Sequence, residues 1–293
     1  MIIECTNTTK KYLNGTIGLN QISLSIDKGL FGLLGKNGSG KTTLMRILTT
    51  LMEPTQGQVK ILDMPINKAN KKVIQQNIGY LPQEFGFYKE FTVYEILEYI
   101  CILREINKGE QSQLIREALE KVNLYQERQK KYKELSGGMK RRVGLAQAIL
   151  QNPAILIVDE PTVGVDPEER IKIRRLLTEY AQDNTVLFST HIIEDIEYTC
   201  DKLAILDGGN LLFEGELSTL LKQARGKVFE CMFQTLDEFK AFEVQYKVIS
   251  IKRDGTGIKA IYLDEKGTWP KGKMIEPTLE EAYVYMTTKG RCD

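Results

Sequence analysis

The chain has 293 residues, 42% of them hydrophobic, which is enough apolar material for one large core and a smaller second one. Forty basic side chains against 39 acidic ones leave a formal charge of +1, so no overall field draws the chain onto nucleic acid or an anionic membrane surface, and partners have to be recognised locally. Cys5, Cys101, Cys200, Cys231 and Cys292 are an odd, scattered set with no CxxC spacing, and the chain has 1 histidine, which fits a reduced cytosolic setting. No basic-then-apolar leader opens the sequence, and no apolar stretch approaches the roughly 20 residues that cross a bilayer, so a chain soluble by itself is expected.

From residue 2 to about 29, short alternating runs such as Ile22-Ser23-Leu24-Ser25-Ile26 are broken by Gly15, Gly18, Asn20 and the Asp27-Lys28-Gly29 turn, which predicts an antiparallel flank. Residues 30–34 are a short apolar run between two glycines and read as a buried strand; Leu44, Ile47, Leu48 and Leu51 follow at helical spacing. Another strand is expected at 78–81, ended by Pro82-Gln83. From about 92 to 123 the pattern is helical, Gly109 being its one glycine, and predicts an inserted helical lobe within about 88–150. Ser136 precedes a helix whose Val143, Ala146, Ile149 and Leu150 share a face and which Asn152-Pro153 ends. Buried strands at 154–158 and 185–190 flank a charged helix at about 167–182. The alternation of strand and helix predicts an α/β core with parallel strands.

Beyond about Lys222 the character changes. Strands at 227–233, 247–253 and 258–263, a helix at 236–245 and a turn at Asp254-Gly255-Thr256-Gly257 predict a small α+β appendage over 223–293, beside a first domain over 1–222. Thr278 is positioned to cap a short final helix, with Glu281 completing a capping box.

Gly35-Lys36-Asn37-Gly38-Ser39-Gly40-Lys41-Thr42 fits GxxxxGK[ST] between a predicted strand and a predicted helix. Inward-turned backbone N–H groups and the positive helix end hold a β-phosphate there, Lys41 supplies a point charge between β and γ, and the Thr42 hydroxyl ligates Mg²⁺. An apolar strand ends in Asp159-Glu160, whose side chains diverge: Asp159 suits the metal shell and Glu160 suits polarising an attacking water. His191 ends the next strand, where ligands collect in open α/β sheets, and is read as a γ-phosphate contact. Gln83 follows another strand end and can reach Mg²⁺ or the water, a solvated loop glutamine being the alternative. Ser136-Gly137-Gly138 places a serine cap and two residues without side chains at a helix start, a second anion site. Lys140, Arg141 and Arg142 just beyond it read as a solvated face.

In this order the motifs resemble those of the ATP-binding cassette (ABC) transporter ATPases over about residues 1–220. Gly35 to Thr42 is similar to Walker A, Gln83 to the Q-loop, Leu135-Ser136-Gly137-Gly138-Met139 to the signature, 155–160 to Walker B, Gly164-Val165-Asp166 to the D-loop and His191 to the switch histidine. Lys36 stands where many members have proline, and Val165 replaces a more usual leucine; neither removes a catalytic group. The resemblance implies a P-loop NTPase fold with a mixed sheet, an antiparallel β flank and an inserted helical subdomain. It also implies ATP and Mg²⁺ as cofactors, Glu160, His191, Gln83 and Lys41 in catalysis, and Thr42, Gln83 and Asp159 around the metal. Nucleotide would be held by Tyr12 stacking on adenine, by Gly35 through Thr43, and by Ser136, Gly137, Gly138 and Asp166.

By the same resemblance two such subunits pack head to tail, as a homodimer or as a heterodimer with a second ABC ATPase, each ATP lying between one Walker A and the opposite signature. Closure drives a separately encoded transmembrane permease from the cytosolic face of the membrane, with no nucleic acid involved. The Pro161-Thr162-Val163-Gly164-Val165-Asp166-Pro167 run, the Met139-Lys140-Arg141-Arg142 extension and the closing Pro277-Thr278-Leu279-Glu280-Glu281 are similar to the exporter branch that handles drugs, peptides, lipids and polysaccharides. An importer ATPase and a soluble member without a membrane partner are the alternatives. Phe85, Phe87, Tyr88 and Phe91 read either as core of the helical lobe or, from the family, as a groove for a short helix of the membrane subunit.

Overall fold

A computed structural model describes residues 1–255, 257–265 and 267–289. Thr256 of the expected turn and Cys292 of the cysteine set lie outside the described residues. The chain divides into two compact units, Met1–Leu211 and Leu212–Asp293.

The first unit opens with β1 (Ile3–Lys11) and β2 (Ile17–Ile26), antiparallel with Ile3 opposite Ile26 and Cys5 opposite Leu24. Their alternation buries Ile3 and Cys5 on β1 and Ile22, Leu24 and Ile26 on β2, the period-2 signature of a half-buried sheet. Next come β3 (Gly29–Leu34), α1 (Lys41–Leu48), β4 (Gln56–Ile61) and β5 (Met64–Pro65). The antiparallel sheet runs β2-β1-β4-β5. Leu44, Ile47 and Leu48 of α1 are buried in the core with Leu24, Leu33 and Ile157. Leu51, expected as a further helical position, is 62% exposed: α1 ends at Leu48, and Thr50 at φ 60° turns the chain away.

After α2 (Lys71–Gln76) and β6 (Ile78–Leu81) the helical lobe begins. The predicted continuous stretch at 92–123 is two helices, α3 (Val93–Leu103) and α4 (Lys108–Lys121). The break falls at Glu105, φ 56°, where the Ile106 amide turns back to donate to the Cys101 carbonyl at 3.0 Å; Gly109 sits inside α4. The chain continues through α5 (Gly137–Ile149), β7 (Ile155–Asp159), α6 (Pro167–Ala181), β8 (Thr185–Thr190), α7 (Ile193–Glu197), β9 (Lys202–Asp207) and β10 (Asn210–Glu216). The second sheet runs β10-β9-β3-β8-β7-β6, and β3 pairs parallel with β8 and β9, β7 with β6 and β8. Parallel pairing puts the carboxyl ends of β3, β6, β7 and β8 at one edge, so the loops that carry Gly35, Gln83, Glu160 and His191 converge there.

The division between units falls within β10, not at 222/223 as read from the sequence. The helix α8 (Leu217–Ala224) belongs to the second unit because it packs on the final helix. There follow β11 (Val228–Phe233), α9 (Leu236–Glu243), β12 (Lys247–Asp254), β13 (Gly257–Leu263), β14 (Lys273–Met274) and α10 (Leu279–Lys289). The sheet order is β12-β13-β11-β14, and Phe239 and Phe242 of α9 join Phe229, Phe233 and Tyr262 in an aromatic core. Before α10 the Thr278 amide donates to the Glu281 carboxylate at 2.6 Å, and the Thr278 hydroxyl donates to the same carboxylate.

Candidate nucleotide site

The loop after β3 and the start of α1 form the floor. Gly40 sits at φ 109°, and a Cβ there would come within 2.6 Å of the Gly18 carbonyl, so the turn accepts only glycine. Lys41 is buried; its ammonium donates to the carbonyls of Gly35 at 2.6 Å and Lys36 at 3.1 Å and lies 3.5 Å from Glu160 Oε1. Burial lowers the Lys41 pKa, while Glu160 and Asp159 oppose that shift. The buried Ser39 hydroxyl, in the lining of the cavity, has no hydrogen-bond partner among the described residues, which fits a loop that receives a polar ligand.

Across the floor stands the end of β7. The Thr42 hydroxyl donates to Asp159 Oδ2 at 2.9 Å, and the Ser189 hydroxyl donates to the other Asp159 oxygen. A hydroxyl and a carboxylate so placed are the hard oxygen donors that suit Mg²⁺. Glu160 is 2% exposed and has three partners: His191 Nδ1 at 3.0 Å and Gln83 Nε2 at 3.5 Å from Oε2, and Lys41 from Oε1. Its backbone is left-handed, φ 50°, which aims its carboxylate away from that of Asp159. Such a conformation in a non-glycine residue costs about 1–3 kcal/mol and persists only where surroundings enforce it. Here the Glu160 amide donates to both the carbonyl and the hydroxyl of Ser189, each at 3.1 Å, and its carbonyl accepts from Arg141 at 3.0 Å.

Tyr12, Gly18, Asn37 through Thr43, Gln83 and Glu160 line one cavity. The Tyr12 ring packs over Gly18, and its hydroxyl hydrogen-bonds the Thr43 hydroxyl at 2.9 Å, which holds the aromatic plane at the rim. Ser136, Gly137, Gly138 and Asp166 contribute nothing to that lining. They form a separate cluster: Ser136 Oγ accepts from the Met139 amide at 3.2 Å, and Asp166 caps α6 by accepting from the Glu169 amide at 2.9 Å. Gly138 packs on Glu169, while Gly137 faces open space beside the Gly164 carbonyl.

Arg141 and Arg142 do not lie on a solvated face: they are 9% and 8% exposed. Arg141 donates to the Gln83 carbonyl at 2.8 Å and the Glu160 carbonyl at 3.0 Å. Arg142 donates to Glu169 at 2.9 Å and to the carbonyls of Val122 and Asn123 at 3.1 and 2.8 Å. Lys140 is half-buried, 5.5 Å from the Tyr132 ring centroid. The signal that was available is the set of small residues along α5, Gly138, Gly144 and Ala146, which lets neighbouring elements close over the helix. The four aromatics divide: Phe87, Tyr88 and Phe91 line an apolar groove with Ile96, Tyr99 and Ile100, whereas Phe85 packs against Gly144.

A glycine-built phosphate loop between strand and helix, an acidic strand end facing it and a parallel sheet behind both define a P-loop nucleotide-binding protein. A family profile described as ABC transporter matches residues 19–163. An uncharacterized ABC transporter ATP-binding protein of Bacillus subtilis is 40% identical over 197 residues, 67% of this chain and 65% of that protein, so the chain spans just under two thirds of that relative. Nod factor export ATP-binding protein I of Rhizobium meliloti is 35% identical over 226 residues, 76% of this chain and 67% of its own. A solved ATP-binding cassette, dimeric, in a post-hydrolysis state and bound to ADP and Pi, matches with a TM-score of 0.66 at 27% identity, over 74% of this chain and 99% of that one. The chain belongs to the ATP-binding proteins of ABC transporters.

Proposed function

We propose that this chain binds Mg-ATP, hydrolyses it as a head-to-tail dimer and powers export through a separately encoded transmembrane permease on the cytosolic face of the membrane. The observation that carries the proposal is the arrangement around Glu160, a buried carboxylate contacted by His191, Gln83 and Lys41 at the mouth of the phosphate loop. Lys41 is placed to neutralise phosphate charge, and the Glu160 carboxylate to take the proton of an attacking water that Gln83 and His191 orient. Thr42 and Asp159 would hold the metal, and Gln83, which lines the same cavity as Thr42, would join them; when bound, the ion neutralises charge developing on the phosphate oxygens.

The separate cluster at Ser136, Gly137, Gly138 and Asp166 supports the dimer: a capped helix start with an open glycine is an anion site that the chain's own cavity leaves unused. Either a second copy or a nonidentical ATPase supplies the complement, and the full set of catalytic groups favours a second copy. No described helix is long and apolar enough to cross a membrane. The groove at Phe87, Tyr88, Phe91 and Tyr99 suits an apolar helix of that permease. Export, in preference to import, is supported by the relative named for Nod factor export.

Glu160→Gln should leave ATP binding intact and cut turnover about 10²-fold or more, since general-base assistance is typically worth that much. Lys41→Ala should instead raise the Kd of a fluorescent ATP analogue. Wild-type turnover in the first variant removes Glu160 from the chemistry, and wild-type affinity in the second removes Lys41 from the phosphate site.

A further inference from the structure

We infer that Arg141 is a positioning residue for the hydrolytic carboxylate, tying the backbone of Glu160 and the Gln83 loop to the helix that begins at Ser136. Its guanidinium bridges two carbonyls from different segments, Gln83 at 2.8 Å and Glu160 at 3.0 Å. The planar fork makes both bonds at once, which a single ammonium cannot do. The group is 9% exposed and lies 5.4 Å from the Phe85 ring centroid, so its contacts are shielded from competing water.

Two further features show that the joint is built. The left-handed Glu160 backbone is held on both sides, its amide by Ser189 on β8 and its carbonyl by Arg141 on α5. Phe85, two residues beyond Gln83, packs where a Cβ on Gly144 would lie 2.6 Å from its Cζ; the same helix that carries Arg141 thus leaves room for the ring beneath the guanidinium. Any shift of α5 along its axis pulls on both carbonyls together. Through Arg141 the orientation of Glu160 depends on where the Ser136 end of the helix sits.

The inference rests on the hydrolytic role of Glu160. Full-length Arg141→Met should lower kcat about tenfold or more, because misplacement of a reacting group by about an ångström costs up to about 10²-fold, while the Kd of a fluorescent ATP analogue stays within about twofold. Arg141→Lys should recover part of the loss. In a Glu160→Gln background, Arg141→Met should cost nothing further, since the group it positions is gone. A folded Arg141→Met with kcat within about twofold of wild type overturns the inference, as does a loss that multiplies with that of Glu160→Gln or resides in Kd alone. If Arg141→Met does not fold, Arg141→Lys decides: a kcat loss of about threefold or more at unchanged Kd supports the inference, and wild-type kcat overturns it. Wild-type turnover in Glu160→Gln alone would instead refute the hydrolytic reading on which all of this stands.

Discussion

Glu160 joins a buried carboxylate to a left-handed backbone, and the two are connected: the unusual φ aims the side chain at His191 and Lys41 while Asp159, one residue earlier, faces Thr42. One strand end thereby presents two carboxylates to different partners. Burial has a second consequence away from the site, at Cys200, whose thiol packs near Gly32 and is pushed up from 9.0 to about 12 by desolvation. A folded pKa above the unfolded one contributes stability that is complete below pH 9 and is lost between pH 9 and about 12, at up to about 1.4 kcal/mol per pH unit. The urea midpoint should therefore fall as pH rises from 8.5 to 10.5, and fall less steeply in Cys200→Ala; equal slopes in the two proteins would show that this thiol is not the source.

Among elements, α3 is the one whose start is most fully specified by local chemistry. Thr92 accepts from the Glu95 amide at 3.1 Å and its own amide donates to the Glu95 carboxylate at 2.7 Å, a complete capping box that the T-x-x-E spelling announces. Thr92→Ala should cost about 1 kcal/mol of stability in denaturant unfolding, with ATP turnover per folded molecule unchanged; a loss below about 0.3 kcal/mol would mean that packing alone holds the lobe. The helix α5 is the opposite case. Its serine cap is legible, but its basic residues are buried by what closes around it: Glu169 and the 122–123 carbonyls over Arg142, the Gln83 and Glu160 carbonyls over Arg141. Periodicity assigns an arginine to a helix face; it does not say which carbonyls wait opposite.

For the whole molecule, the phosphate cavity and the Ser136-Gly137-Gly138 cluster are separate surfaces of one chain, which is the arrangement a head-to-tail pair requires. Glu160→Gln, expected to bind nucleotide without turning it over, should elute from size exclusion at twice the chain mass in saturating Mg-ATP and at the chain mass without nucleotide. Lys41→Ala should stay at the chain mass in both. A Glu160→Gln protein that never changes mass would sink the shared-site reading. Thermal melting gives an independent check, because nucleotide at about 100 times Kd adds about 2.7 kcal/mol to the bound fold.

What the sequence alone determined was everything local spacing controls: the phosphate loop between strand and helix, the Asp159-Glu160 strand end, the parallel core and the residues Gln83 and His191 at strand ends. These are legible because each turns on neighbours a few positions apart, through glycine conformation, hydrophobic period or helix capping. Tertiary structure alone decided the rest: that Lys41 and His191 meet on one carboxylate, and that Arg141 and Arg142 are buried. Each of these depends on partners far along the chain, and burial of a charge is set by the hydrogen-bonding groups that surround it, which no local window contains.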